Sequence, residues 1–497
     1  MNVTDTTISL EHFASLPDRR AALDPDGPCL DDDRFTVTNA EFLARVEAAA
    51  ELFVAHGVGP GDVIATLLTN RIELVVAMFA AWRLGAALTP VNPSLTARET
   101  EFQIQDAGVR LLVHEGDDLE MPGVVGIDVN SLPSRAAVDE PTHVAQDSSA
   151  MALLIYTSGT TGTPKGVMLD HENLVSMVGT IVGSLRLSSS DRCLLILPLF
   201  HVNGIVVSVL SPLAVGGATS LTARFSASTF FDTVEALRPT YFSAVPAIYA
   251  MLTALPDDCV PDTSSINFAI CGAAPMPAEL IHRFEGRYGI PIVEGYGLSE
   301  CTCAATINPI DGPRKPGTVG RPLPGVDVAL LGDDGRPTQH GKGEVLVRGL
   351  NVMRGYLGQP SETDRVLHEG WLHTGDIGHF DDDGYLVLVD RVKDMIIRGG
   401  ENIYPKEIEN VLYGHPDVLE AAVVGCPHDV LGEEPVAFVA LRAQTATSRD
   451  DLHQRCAAAL ARYKLPRAIL VLDTLPKNAV GKISKPALRE MLRTMPR

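Results

Sequence analysis

The chain lacks any excess of positive charge: 40 Lys and Arg stand against 62 Asp and Glu over 497 residues, a net charge of −22. A chain this acidic cannot neutralise a phosphate backbone over a broad face, which argues against nucleic-acid binding. An anionic ligand must instead be drawn by local basic groups. The cysteines are eight and scattered; Cys301 and Cys303 make the only close pair. No second pair stands at zinc spacing, so free thiols in a reducing, cytoplasmic setting are expected. Residues 1–11 show neither the basic start nor the apolar core of a secretory leader. Cys193 to Ala223 holds no Asp, Glu, Lys or Arg, but Pro198, His201, Asn203, Gly204, Pro212, Gly216 and Gly217 interrupt it. This pattern predicts strand, turn, buried helix, turn and strand, and no membrane span. A Gly-x-Gly-x-x-Gly fingerprint behind a strand is also missing, which leaves a nicotinamide dehydrogenase without support.

What is present suits a globular chain of two or more domains, with 45% hydrophobic and 21% charged residues. Thr38-x-x-Glu41 is a capping box, with Phe42, Val46, Ala49 and Phe53 following at helical spacing. A strand from Val63 to Leu68, an amphipathic helix from Leu74 to Leu84 and a strand into Pro90 follow, so strand and helix alternate as in an α/β fold with covered sheets. His171 to Leu185 reads as a helix, and Leu194–Leu197, Tyr241–Val245, Phe268–Ile270 and Ile292–Val293 read as strands. Between Gly320 and Val347, short strands are split by Pro324-Gly325, Asp333-Asp334-Gly335 and Gly341-Lys342-Gly343, the spacing of a small antiparallel barrel. Asp381-Asp382-Asp383-Gly384 fails the ligand alternation of a calcium loop and reads as a hairpin turn.

One stretch stands out chemically. The apolar run Met151–Ile155 leads into Tyr156-Thr157-Ser158-Gly159-Thr160-Thr161-Gly162-Thr163-Pro164-Lys165-Gly166. Three glycines admit backbone N–H groups to an oxyanion, five Ser and Thr hydroxyls add donors, and Lys165 adds a full charge. That combination grips phosphate. It is not a Walker A loop, because Pro164 takes the place of the second glycine and Gly166 follows the lysine where a hydroxyl is required.

This loop resembles the signature loop of the AMP-forming acyl-CoA synthetases, which form the adenylate-forming superfamily with firefly luciferase and peptide-synthetase adenylation domains. Further segments match in order. Glu294-Gly295-Tyr296-Gly297-Leu298-Ser299-Glu300 looks like the family's Tyr-Gly-x-Thr-Glu motif, Cys271-Gly272-Ala273-Ala274 like its adenine-facing segment, and Trp371-Leu372-His373-Thr374-Gly375-Asp376 like its ribose-binding segment. The resemblance implies ATP contacts from Thr157, Ser158, Gly159, Thr160, Thr161 and Lys165, and from Gly272, Ala273, Ala274, Gly295, Tyr296 and Gly297. Tyr296 would stack on adenine, Ser299 would donate to the α-phosphate, Glu300 would hold Mg²⁺, and Asp376 and Arg391 would reach the ribose or phosphate. Ser299 replaces the commoner threonine and keeps the hydroxyl.

For His201, the residues alone leave open a histidine paired within the core. The resemblance implies a residue bordering the acyl pocket and argues against an amino-acid substrate, whose activators carry an aspartate there. Val202, Ile205, Val206, Ala244, Val245 and Gly295 complete an expected apolar acyl pocket. Malonyl-activating relatives usually carry Arg where Gly295 stands, so a second substrate carboxylate would lack that partner.

The resemblance further implies a large domain over residues 1–391, built of two helix-flanked sheets plus a small barrel, and a mobile α+β lid over 392–497. The hinge would be at Lys393, Gly399, Gly400 and Glu401 would meet CoA, and Lys482, in Pro476-Lys477-Asn478-Ala479-Val480-Gly481-Lys482, would be the catalytic lysine. The expected activity joins a medium- or long-chain, or aromatic, carboxylic acid to CoA through an acyl-adenylate, with ATP, Mg²⁺ and CoA required. A carrier protein as acyl acceptor, a small dicarboxylate such as oxalate or malonate, a luciferase-like oxygenase, a nucleotide-binding module without turnover, and a homodimer remain as alternatives.

Overall fold

The computed structural model describes residues 12–116, 121–135, 147–157, 164–274, 276–391, 394–398, 401–428, 430–442, 445, 447–477 and 482–494. Ser158, Gly159, Thr160, Thr161, Lys393, Gly399 and Gly400 lie outside this set, as does the side chain of Arg391.

The expected α/β architecture is present. A nine-stranded sheet is parallel through its centre, running Ile292–Tyr296, Phe268–Cys271, Tyr241–Ala244, Arg192–Leu195, Ala218–Leu221 and Pro28–Asp31 as neighbours. A seven-stranded sheet carries Gly355–Tyr356, Lys165–Asp170, Met151–Thr157, Ala87–Val91, Val63–Leu67, Val109–His114 and Val125–Asp128 in that order. The strands expected to form a small barrel make a six-stranded antiparallel sheet, with Trp371–Phe380 paired to Gly343–Gly349 and to Leu386–Arg391. A separate five-stranded sheet follows, built mainly on Val418–His428 and Gly432–Leu441.

The helix Ile72–Arg83 corrects one expectation. It is not amphipathic, since every one of its residues is buried. Its sequence, IELVVAMFAAWR, is apolar nearly all round, the pattern of a helix enclosed on all sides. Trp82 packs edge-on against Phe79 and His171, and its indole N–H donates to the Ala152 carbonyl at 2.8 Å. The two charged residues survive burial because they are paired. Arg83 holds Asp18 and Glu47, and Glu73 holds Arg71 and Arg34. The Asp32 carboxylate caps the helix from outside, accepting the Ile72 N–H at 3.2 Å.

The uncharged stretch after residue 193 folds as expected, with one addition. Helical turns at Val202–Ile205 and Ser211–Ala214 flank a π-helical turn, Val206–Leu210. Pro212 explains it, since its ring has no N–H and crowds the carbonyl one turn back. The Val206 carbonyl accepts both the N–H and, at 2.7 Å, the hydroxyl of Ser211, and the carbonyls of Val207 and Ser208 accept the hydroxyls of Tyr241 and Thr219 at 2.9 and 2.7 Å. Among the described residues, no helix is long and apolar enough to cross a membrane.

The helix His171–Leu185 begins on an Asp170 cap, and its first residue has a buried ring. Burial, aided by the charge of His12, pushes the His171 pKa down from 6.5 to about 4. The fold therefore favours the neutral ring, whereas the unfolded chain takes up a proton below its ordinary pKa. The stabilisation is whole above pH 6.5 and is lost as pH falls toward 4. Between pH 7 and pH 5 the native chain should lose about 2 kcal/mol more than a His171→Phe variant, read from denaturation midpoints. Equal pH dependence in the two proteins would contradict this.

Candidate active site

The seven- and nine-stranded sheets and the antiparallel sheet meet around the expected ATP residues. The Met151–Thr157 and Lys165–Asp170 strands pair antiparallel with Thr157 opposite Lys165, which fixes both ends of the phosphate loop. Lys165 is 5% exposed. Its ammonium pairs with Glu362 and lies 5.1 Å from the centre of the Tyr356 ring. The Tyr356 hydroxyl in turn donates to Glu300 Oε1 at 2.8 Å. The phosphate-loop lysine and the expected magnesium carboxylate thus share one tyrosine.

Tyr296 ends the strand Ile292–Tyr296, which runs further than its apolar pair suggests because Gly295 and Tyr296 pair with Ile307 and Thr306. Its hydroxyl donates to Asp376 Oδ2 at 2.7 Å, so the expected adenine and ribose residues touch. Gly297 is required by close approach: a Cβ there would lie 2.3 Å from the Cys303 carbonyl oxygen. Glu300 sits in the short 3₁₀ turn Ser299–Cys301, tied down by the Met353 N–H on its carbonyl at 2.9 Å and by the Asn351 amide on Cys301. Thr302, Cys303 and Ala273 have φ of 52, 91 and 67°. Non-glycine residues in the left-handed region, two of them adjacent, mark backbone held under strain.

On the acyl side, His201 follows Phe200, with ring centres 4.6 Å apart. Burial, and after it the charge of Lys482, depress the His201 pKa from 6.5 to about 4. The ring is therefore neutral at physiological pH, and the lysine expected from the lid stands near it. Ile483, next to Lys482, bridges to Lys477, which pairs with Glu420 at 2.7 Å. Of the expected pocket residues, Val202 and Ala244 are buried, while Val245 and Gly295 are half-buried. Ile205 and Val206 are wholly enclosed in the core beside the π-turn. Sequence reading passed over the polar group beside them, in which the Ser243 hydroxyl donates to Asn203 Oδ1 at 3.0 Å.

The helix that follows the Glu401–Ile403 strand contacts the Leu386–Arg391 strand through Lys406, whose N–H donates to Asp390 at 2.9 Å and whose ammonium donates to the Leu388 carbonyl at 2.8 Å. Lys342 lies 3.3 Å from the centre of the Tyr404 ring. The charge of Lys406 also acts on Glu294, whose carboxyl is pushed up to about 8 by burial. The Glu401–Ile403 strand, with Glu401 exposed, pairs with Ile396–Arg398. Tyr356, Glu362, Asn203 and Lys406 carry no motif, and nothing in their spacing points to them.

Among the described residues no three His, Cys, Asp or Glu side chains gather as a metal cage. One carboxylate, Glu300, linked through Tyr356 to the lysine that ends the expected phosphate loop, fits an ion held largely by substrate phosphates, as Mg²⁺ usually is.

Comparison with known proteins agrees with this geometry. The family model described as AMP-binding enzyme matches residues 17–357, and the one described as AMP-binding enzyme C-terminal domain matches 407–482. The oxalate–CoA ligase of Arabidopsis thaliana is 37% identical over 96% of each chain. A feruloyl-CoA synthase of an Amycolatopsis species is 37% identical over 96% of this chain and 98% of its own. The o-succinylbenzoate CoA synthetase of Bacillus subtilis, solved with ATP and magnesium ion, superposes with a TM-score of 0.86 at 34% identity, covering 96% of this chain and 99% of that one. The chain belongs to the AMP-binding enzyme family and is an AMP-forming acid–CoA ligase, an acyl-CoA synthetase of the adenylate-forming superfamily that uses ATP, Mg²⁺ and coenzyme A.

Proposed function

We propose that this ligase activates an apolar or aromatic carboxylic acid as its acyl-adenylate and passes the acyl group to CoA, using residues from both domains in turn. The observation that carries this reading is the cluster in which Tyr356 joins the phosphate-loop lysine to the expected magnesium carboxylate, with Lys482, a residue of the C-terminal sheet domain, near enough for its charge to act on His201 in the large domain. A carboxylate and an α-phosphate repel each other, and a lysine brought to their junction lowers the barrier to their meeting. Lys482 bridges the two. Ser299 donates to the α-phosphate, Tyr296 and the Gly272–Ala274 segment hold the adenine, and Asp376 and Arg391 hold the ribose. The phosphate loop, from Thr157 to Lys165, retains the departing pyrophosphate. Glu300 would hold Mg²⁺, which when bound cancels charge on the phosphoryl oxygens.

After adenylation, the lid turns about Lys393. That withdraws Lys482 and brings Gly399, Gly400 and Glu401 to the cleft, where the CoA thiol attacks the acyl carbon and AMP leaves. The boundary between the domains then lies at residues 391 and 392, between the Leu386–Arg391 strand and the Ile396–Arg398 strand.

For the acid, Val202, Ala244 and Val245 favour apolar surface, and Gly295 offers no cation for a second carboxylate. The neutral His201 offers none either. A second reading draws on Asn203 and Ser243, whose polar contact beside the histidine suits an acid with an additional oxygen. The named relatives act on oxalate and ferulate, both of which carry one.

Three outcomes test this. Lys482→Ala should lower acid-dependent pyrophosphate release by about two to three orders of magnitude, the usual cost of losing one charge-stabilising donor. It should leave thioester formation from supplied acyl-adenylate within a few-fold, and equal loss in both half-reactions would remove the role. Lys393→Pro should do the reverse, because proline fixes a dihedral that a hinge must change; unchanged overall turnover would refute the hinge. In a pyrophosphate-release screen over a panel of acids, medium-chain or aromatic acids should give the highest kcat/KM, with saturable dependence on CoA for thioester. A best rate with oxalate or malonate, or indifference to CoA, would overturn the substrate or the acceptor.

A further inference from the structure

Lys165 is the first residue of its strand, and its side chain is only 7% exposed. Desolvating an ammonium costs several kcal/mol unless an anion accompanies it. Glu362 is that anion. The same carboxylate oxygen also accepts from Arg365, one helical turn on, at 2.9 Å. Glu362 belongs to the helix Pro360–Val366, which is locked against the Gly355–Tyr356 strand. The Tyr356 N–H donates to Thr363 Oγ1 at 2.9 Å, and a Cβ at Gly355, where φ is +140°, would lie 2.6 Å from the Thr363 methyl. The helix therefore cannot drift from the phosphate strand.

The two partners of this ion pair are unequally placed. The Glu362 side chain is 33% exposed and keeps Arg365 whether or not it holds Lys165. Arg365 and then Lys165 hold its carboxyl down to about 2, so it stays ionised at any working pH and cannot let go by taking a proton. Among the described residues, Lys165, nearly closed off from water, has no such second anion. Glu362 can release Lys165 cheaply, whereas Lys165 can release Glu362 only to another anion.

We propose that Glu362 is an exchangeable counter-ion for the phosphate-loop lysine: it holds Lys165 between turnovers, gives way to the nucleotide's phosphates, and returns as pyrophosphate leaves. This rests on the reading that Lys165 serves those phosphates. Glu362 acts through Lys165 and is thus a positioning residue. Tyr356 belongs to the same device, because its ring underlies the ammonium while its hydroxyl holds Glu300. The lysine and the carboxylate therefore keep their spacing during the exchange. The device serves turnover by lowering the affinity for pyrophosphate, whose grip on a bare buried ammonium would slow its departure.

The test is calorimetric titration of the full-length chain with inorganic pyrophosphate and Mg²⁺, in the absence of nucleotide. Glu362→Gln should bind pyrophosphate about tenfold more tightly, a difference of about 1.4 kcal/mol. Glu362→Asp keeps the charge but withdraws it by one methylene, and should tighten binding by a smaller factor; this arm also stands if the glutamine variant fails to fold. In a Lys165→Met background the Glu362→Gln step should change nothing, as a double-mutant cycle requires if the effect passes through the lysine. Unchanged or weaker binding in Glu362→Gln, or equal tightening without Lys165, overturns the exchange and leaves the function standing. If Lys165→Met alone leaves pyrophosphate affinity unchanged, the assignment of Lys165 to the phosphates fails, and the exchange with it.

Discussion

Repulsion between anions is the constraint on which this protein is built. A carboxylate and ATP must meet in a chain that itself carries a net charge of −22. No general field attracts them, so single cations have to be set at chosen points, and a buried cation needs a partner before the substrate arrives. The structure meets that need repeatedly. Lys165 rests on Glu362, Lys485 on Glu409 at 2.9 Å, and the Lys406 ammonium on the Leu388 carbonyl near the buried Glu294. Each of these three charges is held by an anion or a carbonyl that the fold supplies.

The surrounding architecture makes those placements rigid. The enclosed helix Ile72–Arg83 stiffens the packing between the large sheets and sets the strands that end at the cleft. The π-turn at Val206–Leu210 seals Ile205 and Val206 into the core and leaves His201, Val202 and Asn203 as the local face. The left-handed residues Ala273, Thr302 and Cys303 stand beside the strand ends that carry the expected adenine and magnesium residues. Strain of this kind persists only where neighbours over-determine it, and here Asn351 and Met353 do so through the carbonyls of Glu300, Cys301 and Ala304.

Local features were legible in the amino-acid order. The Thr38–Glu41 capping box, the helix His171–Leu185 and the hairpin at Asp381–Gly384 follow from near-neighbour chemistry and are found where expected. The phosphate loop and the Tyr296–Glu300 segment stand out as motifs because their chemistry is concentrated in a few adjacent residues. What escaped is what joins them. Lys165 meets Glu362 across 197 positions, Tyr296 meets Asp376 across 80, and Tyr356 meets Glu300 across 56. Spacing carries no trace of such pairs. The helix from Ile72 was misjudged for the same reason, since whether an apolar helix is half or wholly covered depends on the sheets on its two sides. Strand ends shifted where a neighbour, such as Thr306–Ile307 beside Tyr296, extended the pairing beyond the apolar run.

The central claim, that carboxylate and nucleotide are joined at this charged cleft before the thiol takes part, is tested most directly by isotope exchange between pyrophosphate and ATP in the full-length chain. The account predicts exchange that requires a carboxylic acid, proceeds without CoA and stops when Mg²⁺ is chelated. Exchange without any acid, or only when CoA is present, would contradict it.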